Sequence, residues 1–218
     1  MIRTRSLTTA LLLGSALIIG CTSHTTKPEQ YSGFLKDYSG LEQTQSASGK
    51  EVMRWRKANF KMTDYGDLVF QPAAFYPAPQ PNDRVSRETL QQILDYANKT
   101  IGPALQYRVK EAQTPGPRTL RFNGAITGVG AADQGLKPYE VIPIALVVAS
   151  AQTASGHRTQ NTEMFLESEF TDVESGEVLM KVVRKVMGKT VNNEQQPVVF
   201  DDLKEAIDDL AKDIRTFK

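Results

Sequence analysis

Apolar residues recur at helical spacing near the end of the chain. Leu203, Ala206, Ile207, Leu210, Ile214 and Phe217 make one stripe over 201–217, with Asp201 and Asp202 at its start and Lys212 and Arg215 near its end. This pattern predicts an amphipathic helix whose end charges complement the helix dipole. The stripe should pack on the inner face of a sheet. A second stripe, Leu90, Ile93, Leu94, Ala97, Ile101 and Leu105, follows Ser86, a suitable N-cap. It predicts a helix over 87–101, which Gly102-Pro103 kinks or ends.

Alternation with a period of two marks a hairpin. Met164, Leu166, Ser168 and Phe170 alternate with Glu163, Phe165, Glu167 and Glu169. After the turn Thr171–Gly176, Val178, Met180, Val182 and Val186 alternate with Lys181, Lys185 and Lys189. Placing Phe170 opposite Val178 sets Leu166 against Val182 and Ser168 against Met180 on a buried face. Glu167 then meets Lys181, and Glu163 meets Lys185, on a solvated face. Each such cross-strand pair adds about 0.2–1 kcal/mol.

Weaker alternation predicts strands at Val52–Arg56, Leu68–Phe75, Tyr107–Ala112 and Thr119–Thr127. The prolines of 77–81 end the second of these in an ordered loop or edge. Gly124, Gly128 and Gly130 are spaced GxxxGxG, unlike a dinucleotide fingerprint, and read as bulged or flexible backbone. Val141–Ala149 is the most apolar stretch beyond the N-terminus and too short to cross a bilayer as a helix. It reads as a buried element, or else as a partner or membrane contact.

The N-terminus has its own pattern. Arg3 and Arg5 precede an apolar run, Leu7–Ile19, which ends in Ile18-Ile19-Gly20-Cys21. The run has the length of a secretory signal core. Residues 18–21 resemble the lipobox of bacterial lipoproteins. The resemblance implies diacylation of the Cys21 thiol, cleavage after Gly20 and acylation of the new amine. Thr22, where a retention signal has Asp, implies the outer membrane. Residues 22–30 are polar and aperiodic and read as a flexible tether, with His24 solvated in it. Residues 42–50 read as a loop.

Between them lies Tyr31-Ser-Gly-Phe-Leu-Lys-Asp-Tyr-Ser-Gly-Leu41. Phe34, Leu35, Tyr38 and Leu41 are placed to dock a loop or single helical turn onto the domain. Following a lipobox and preceding a hairpin and terminal helix, this segment resembles the bacterial lipoprotein family known as domain of unknown function 3313. The resemblance implies no activity and no catalytic residues.

Charge is balanced, with 26 Lys and Arg against 25 Asp and Glu in 218 residues. No basic excess points to nucleic acid. Cys21 is the only cysteine, so no disulfide forms within the chain. His24 and His157 are the only histidines, too few for zinc spacing. His157 lacks a GxSxG nucleophile. Asp172, Glu174 and Glu177 fail the EF-hand pattern and belong to the hairpin turn. Glu163, Glu167 and Glu169 could supply paired carboxylates for glycoside hydrolysis, but their inferred lysine partners argue against it. Gly49-Lys50 lacks the rest of a P-loop. Asn98-Lys-Thr100 is a formal glycosylation sequon inside a helix.

These readings assemble into a signal peptide over 1–20, a lipidated tether and loop over 21–50, and one periplasmic domain over 51–218. The domain is expected to be α+β, a mostly antiparallel sheet with amphipathic helices packed on one face. The expected role is a non-enzymatic binding or accessory component of an envelope assembly, held to the membrane through Cys21, with no cofactor and a protein partner in the envelope. A lipid or small-ligand carrier is the alternative, and a hydrolase built from scattered loop residues the third reading. An exposed, contiguous apolar patch favours the first role, a closed apolar pocket the second, and a cleft joining His157 to a Ser and a carboxylate the third.

Overall fold

A computed structural model describes residues 25–133, 159–192 and 195–217. Eight strands and two helices follow in the order β1 (Glu42–Gln45), β2 (Glu51–Arg56), β3 (Asp67–Phe70), β4 (Ala74–Phe75), α1 (Arg87–Gln106), β5 (Lys110–Glu111), β6 (Thr119–Asp133), β7 (Gln160–Asp172), β8 (Val178–Val191) and α2 (Phe200–Thr216). All strands join one sheet, ordered β1-β2-β8-β7-β6-β3-β5, with β4 also on β6. The long central pairs are antiparallel, while β3 and β4 run parallel to β6 and β3 parallel to β5. The α+β class and mostly antiparallel sheet are therefore as expected.

The helices form where the apolar spacing predicts. Ser86 caps α1 by accepting a hydrogen bond from the Thr89 N–H at 3.0 Å. The helix runs through Pro103 to Gln106, past the expected end, because Ala104 and Leu105 still point into the core. In α2, the Asp202 carboxylate accepts from the Val199 N–H at the positive helix end. Leu203 and Ile207 are fully buried. Helix α2 contacts α1, β8 and β7. At the crossing, a side chain on Gly188 would put its Cβ 2.2 Å from the Asp202 carbonyl oxygen. Only glycine lets the helix backbone come this close.

Three expected strands differ: Tyr107–Ala112 shrinks to β5, because Tyr107 still caps α1. Leu68–Phe75 breaks into β3 and β4 around Pro72, which has no N–H for a ladder. Asn98 of α1 bridges the break, accepting from the Ala73 N–H at 2.7 Å and donating to its carbonyl at 3.0 Å. The sequon asparagine is thus a structural clip. The glycine-rich stretch is regular strand in β6, with a bulge between Ile126 and Gly128. The segment 42–50, expected as loop, forms β1 and its turn onto β2.

The hairpin pairs as predicted in direction, with its register slipped by two. Phe170 faces Met180, Ser168 faces Val182 and Leu166 faces Arg184. One residue of the slip comes from the turn, which closes at Asp172 and Glu177. The other comes from a bulge between Phe170 and Thr171. An even slip leaves each side chain on its predicted face. Glu163 still meets Lys185, at 3.1 Å, now as a diagonal neighbour.

Candidate functional site

The expected solvated face of the hairpin is covered. Glu167 is 1 % exposed and Lys181 6 %. The cover is the segment 31–41, which straps across this face. The Glu167 carboxylate accepts from the Ser32 N–H at 2.7 Å and from the Tyr38 hydroxyl at 2.5 Å. That hydroxyl accepts in turn from the Gly33 N–H at 2.8 Å. Burial and the Glu167 charge push the Tyr38 phenol up to about 12. Tyr31 stacks on Tyr38 with centroids 4.6 Å apart. Lys181 donates to Asp37 at 2.7 Å and to the Ser39 carbonyl at 2.9 Å, and lies 5.0 Å above the Trp55 ring. Gly40, at φ +73°, passes under that ring, where a Cβ would sit 2.6 Å from it. Leu35 is buried, so docking by this segment occurs as its apolar residues suggest.

The opposite face carries a hollow. Phe122, Phe170 and Met180 fill one row across β6, β7 and β8. In the next row stand Gly124, Ser168, Val182 and, on β2, Arg54. The Phe122 ring leans over Gly124, where a Cβ would sit 2.9 Å from it, and beside the short Ser168 side chain a cavity of about 120 Å³ remains. Ile101 and Leu105 of α1 and Leu210 and Ile214 of α2 line its helix side. Leu166, Ser168 and Val182 lie on central strands, yet each is only half-buried. The hollow is therefore an open groove, and its lining is mainly apolar.

Polar groups are confined to its wall and rim. Arg184 and Asp213 form a buried ion pair in the wall. Asp213 also accepts from the Ser48 N–H at 2.6 Å. Burial alone would raise the Asp213 carboxyl, but the Arg184 guanidinium and the Ser48 and Ser46 side chains together hold it below the usual value. Arg54 sits at the rim, its guanidinium 5.2 Å from the centroid of the Phe217 ring and 3.4 Å from the Thr44 hydroxyl. Among the described residues it has no ion pair with a carboxylate. Burial and the neighbouring Arg56 charge lower its pKa.

The β1–β2 turn clasps the mouth of the groove. Ser46 and Ala47 line the rim. Ser48 reaches Asp213, and Lys50 pairs with Asp209 of α2 at 3.1 Å. The next residue, Glu51, accepts from the Thr25 hydroxyl at 2.9 Å. Thr26 and Gln30 are buried. The stretch from Thr25 to Gln30, expected as free tether, is thus bound to the domain.

Cys21, His24, His157 and Val141–Ala149 lie outside the described residues. Asp172 accepts from the Ser175 N–H at 2.8 Å, and Glu177 pairs with Lys57, so both serve the hairpin turn and its neighbour. Glu163 is tied to Lys185 and Glu167 to the strap. Among the described residues, no group of three or more His, Cys, Asp or Glu is placed to hold a metal ion. The groove was not foreseen, because its floor depends on small residues brought together from separate strands.

The fold and site define an α+β domain with a strapped outer face and an open apolar groove on the inner one. The chain belongs to the family described as a protein of unknown function, DUF3313, which it matches over residues 30–214. It is 44% identical over 208 residues to the uncharacterized lipoprotein YdcL of Escherichia coli strain K12, covering 95% of this chain and 94% of that protein. The same figures hold for YdcL of Escherichia coli O157:H7. Among solved structures, a PelC dodecamer from Paraburkholderia phytofirmans aligns with 76% of this chain and 96% of its own, at 10% identity and a TM-score of 0.32. A likeness so distant carries no inference about this chain.

Proposed function

We propose that the chain is a non-enzymatic binding protein of the bacterial envelope. It is tethered by acyl chains on Cys21 to the inner leaflet of the outer membrane, faces the periplasm, and binds its ligand in the groove. The open apolar groove carries this reading. Elsewhere the same sheet face is filled by side chains such as Phe122, Phe170 and Met164, whereas the short side chain of Ser168 leaves a hollow beside it. Concave, mostly apolar sites with few polar groups are the usual form of small-ligand sites. The wall carboxylate, Asp213, is engaged by Arg184 and Ser48, which suits a structural part better than a proton-transfer role. The large exposed hydrophobics among the described residues, Tyr76, Tyr107 and Val199, come from three different segments and favour a protein-docking face less. The lipobox spacing and a 44% identical relative named a lipoprotein support the anchor.

Two measurements test this. Labelled palmitate should enter the protein in the outer-membrane fraction, and Cys21→Ala should abolish the label and release the protein to the periplasm. Purified protein should raise the fluorescence of N-phenylnaphthylamine, and Ser168→Leu should suppress that rise. Absence of any dye enhancement with the wild-type protein would sink the groove reading.

A further inference from the structure

We infer that the groove takes the acyl chain of a membrane phospholipid, entering from the bilayer that holds the anchor, with Arg54 at the mouth receiving the lipid phosphate. This rests on the groove reading and on lipidation at Cys21.

Three observations converge. The first is size and lining. A cavity of about 120 Å³ is close to the ~150 Å³ apolar cavity that takes up benzene. It holds several methylenes, and the open rim leaves space for the rest of a chain. Each methylene withdrawn from water contributes about 0.8 kcal/mol. The second is charge. Arg54 is half-buried at the rim and has no carboxylate partner among the described residues. A guanidinium presents a fork of donors suited to a phosphate. An apolar hollow with a guanidinium at its mouth that has no carboxylate partner among the described residues matches a chain that ends in a phosphorylated head group.

The third is position. Rim residue Ser46 donates its N–H to the Lys50 carbonyl at 2.7 Å. Glu51 follows and holds Thr25 at 2.9 Å. Four peptide steps separate Thr25 from Cys21, a span of at most about 14 Å. Thr25 is thereby kept within about two head-group layers of the anchor, and Glu51, which holds it, directly follows the clasp.

The test uses the full-length lipidated protein in vesicles of phosphatidylethanolamine and phosphatidylglycerol. A phospholipid with a diazirine at the end of one acyl chain is included, and crosslinked peptides are mapped by mass spectrometry after irradiation. The expected label falls on the β7 and β8 peptides that contain Leu166, Ser168 and Val182. Ser168→Leu should reduce it by roughly tenfold or more, and Arg54→Gln by a few-fold. If circular dichroism shows Ser168→Leu to be misfolded, Val182→Phe fills the same hollow. Label confined to other surfaces, or unchanged in a folded groove-filled variant, overturns the inference. So does a groove occupied by the chains on Cys21, which gives no phospholipid label. Dye binding without phospholipid label removes the lipid and leaves the groove reading. Loss of both removes both.

Discussion

Tyr38 donates its hydroxyl to Glu167 across 129 positions of sequence, at 2.5 Å. This bond fastens the segment 31–41 to the middle of a central strand. Without Tyr38, the Glu167 carboxylate keeps the Ser32 N–H but loses its side-chain donor. A hydrogen bond to a charged group contributes about 1.5–3 kcal/mol. Tyr38→Phe should therefore lower stability by roughly that amount in urea denaturation. It should also speed proteolysis within 31–41 ahead of global unfolding.

The same bond sets an alkaline limit. The Tyr38 phenol stands at about 12 in the folded chain, against an ordinary value of 10.0. A raised phenol pKa means that folding favours the protonated form. The strap contribution is complete below pH 10, declines above it, and is lost as pH passes about 12. Tyrosinate absorbance and strap proteolysis should rise together over that window. Tyr38→Phe should leave a smaller absorbance step, because Tyr65 is also raised to about 12 and remains.

Gly188 gives a second check. Its built Cβ would meet the Asp202 carbonyl at 2.2 Å and the Thr162 hydroxyl at 2.4 Å. Backbone cannot yield as the tip of a side chain does, so Gly188→Ala must push α2 away from β8. Overpacking costs about 1–3 kcal/mol. The urea midpoint should fall accordingly, with hydrogen exchange increased in the first turn of α2. An unchanged midpoint would mean that the helix does not rest on β8 here.

The sequence made the helices and the hairpin legible because each depends on local period. Ser86 and the stripe from Leu90 to Leu105 define α1 without reference to anything distant. The buried outer face was not legible. Alternating Glu and Lys reads as a wet surface unless it is known that Tyr38 and Asp37 return to cover it. The register was missed for a related reason, since a longer turn and a bulge at Phe170/Thr171 leave little trace in composition. The groove was least legible of all. Gly124 and Ser168 each look unremarkable, and only the pairing of β6 and β7 brings them together beside the hollow.

The Arg184–Asp213 pair offers a test of what the groove wall is for. Both side chains are buried, at 9% and 4% exposure. Removing one partner leaves an uncompensated charge, so Arg184→Ala or Asp213→Ala should each cost about 3–5 kcal/mol. Replacing both by apolar residues, as Arg184→Met with Asp213→Leu, should be near neutral or stabilising by about 1–4 kcal/mol. The Asp213 carboxyl is held below its ordinary value. Its contribution is therefore present above the unfolded carboxylate range and lost as pH falls through the folded value. As Asp213 protonates in acid, the wild-type urea midpoint should fall while that of the double variant does not, so the two should diverge.

Ser168 separates stability from binding. Its position lies under two helices but stays half-buried, and its neighbours Leu166 and Val182 keep apolar surface in contact with solvent. A domain selected for stability alone would fill that row. Ser168→Val adds apolar bulk where space exists, so stability should hold or rise by up to about 1 kcal/mol, while dye binding in the groove falls. Gains of this kind that cost function are the expected pattern at a site kept open for a ligand. A clear loss of stability in Ser168→Val would instead mean that the row is already packed, and that the hollow closes in solution.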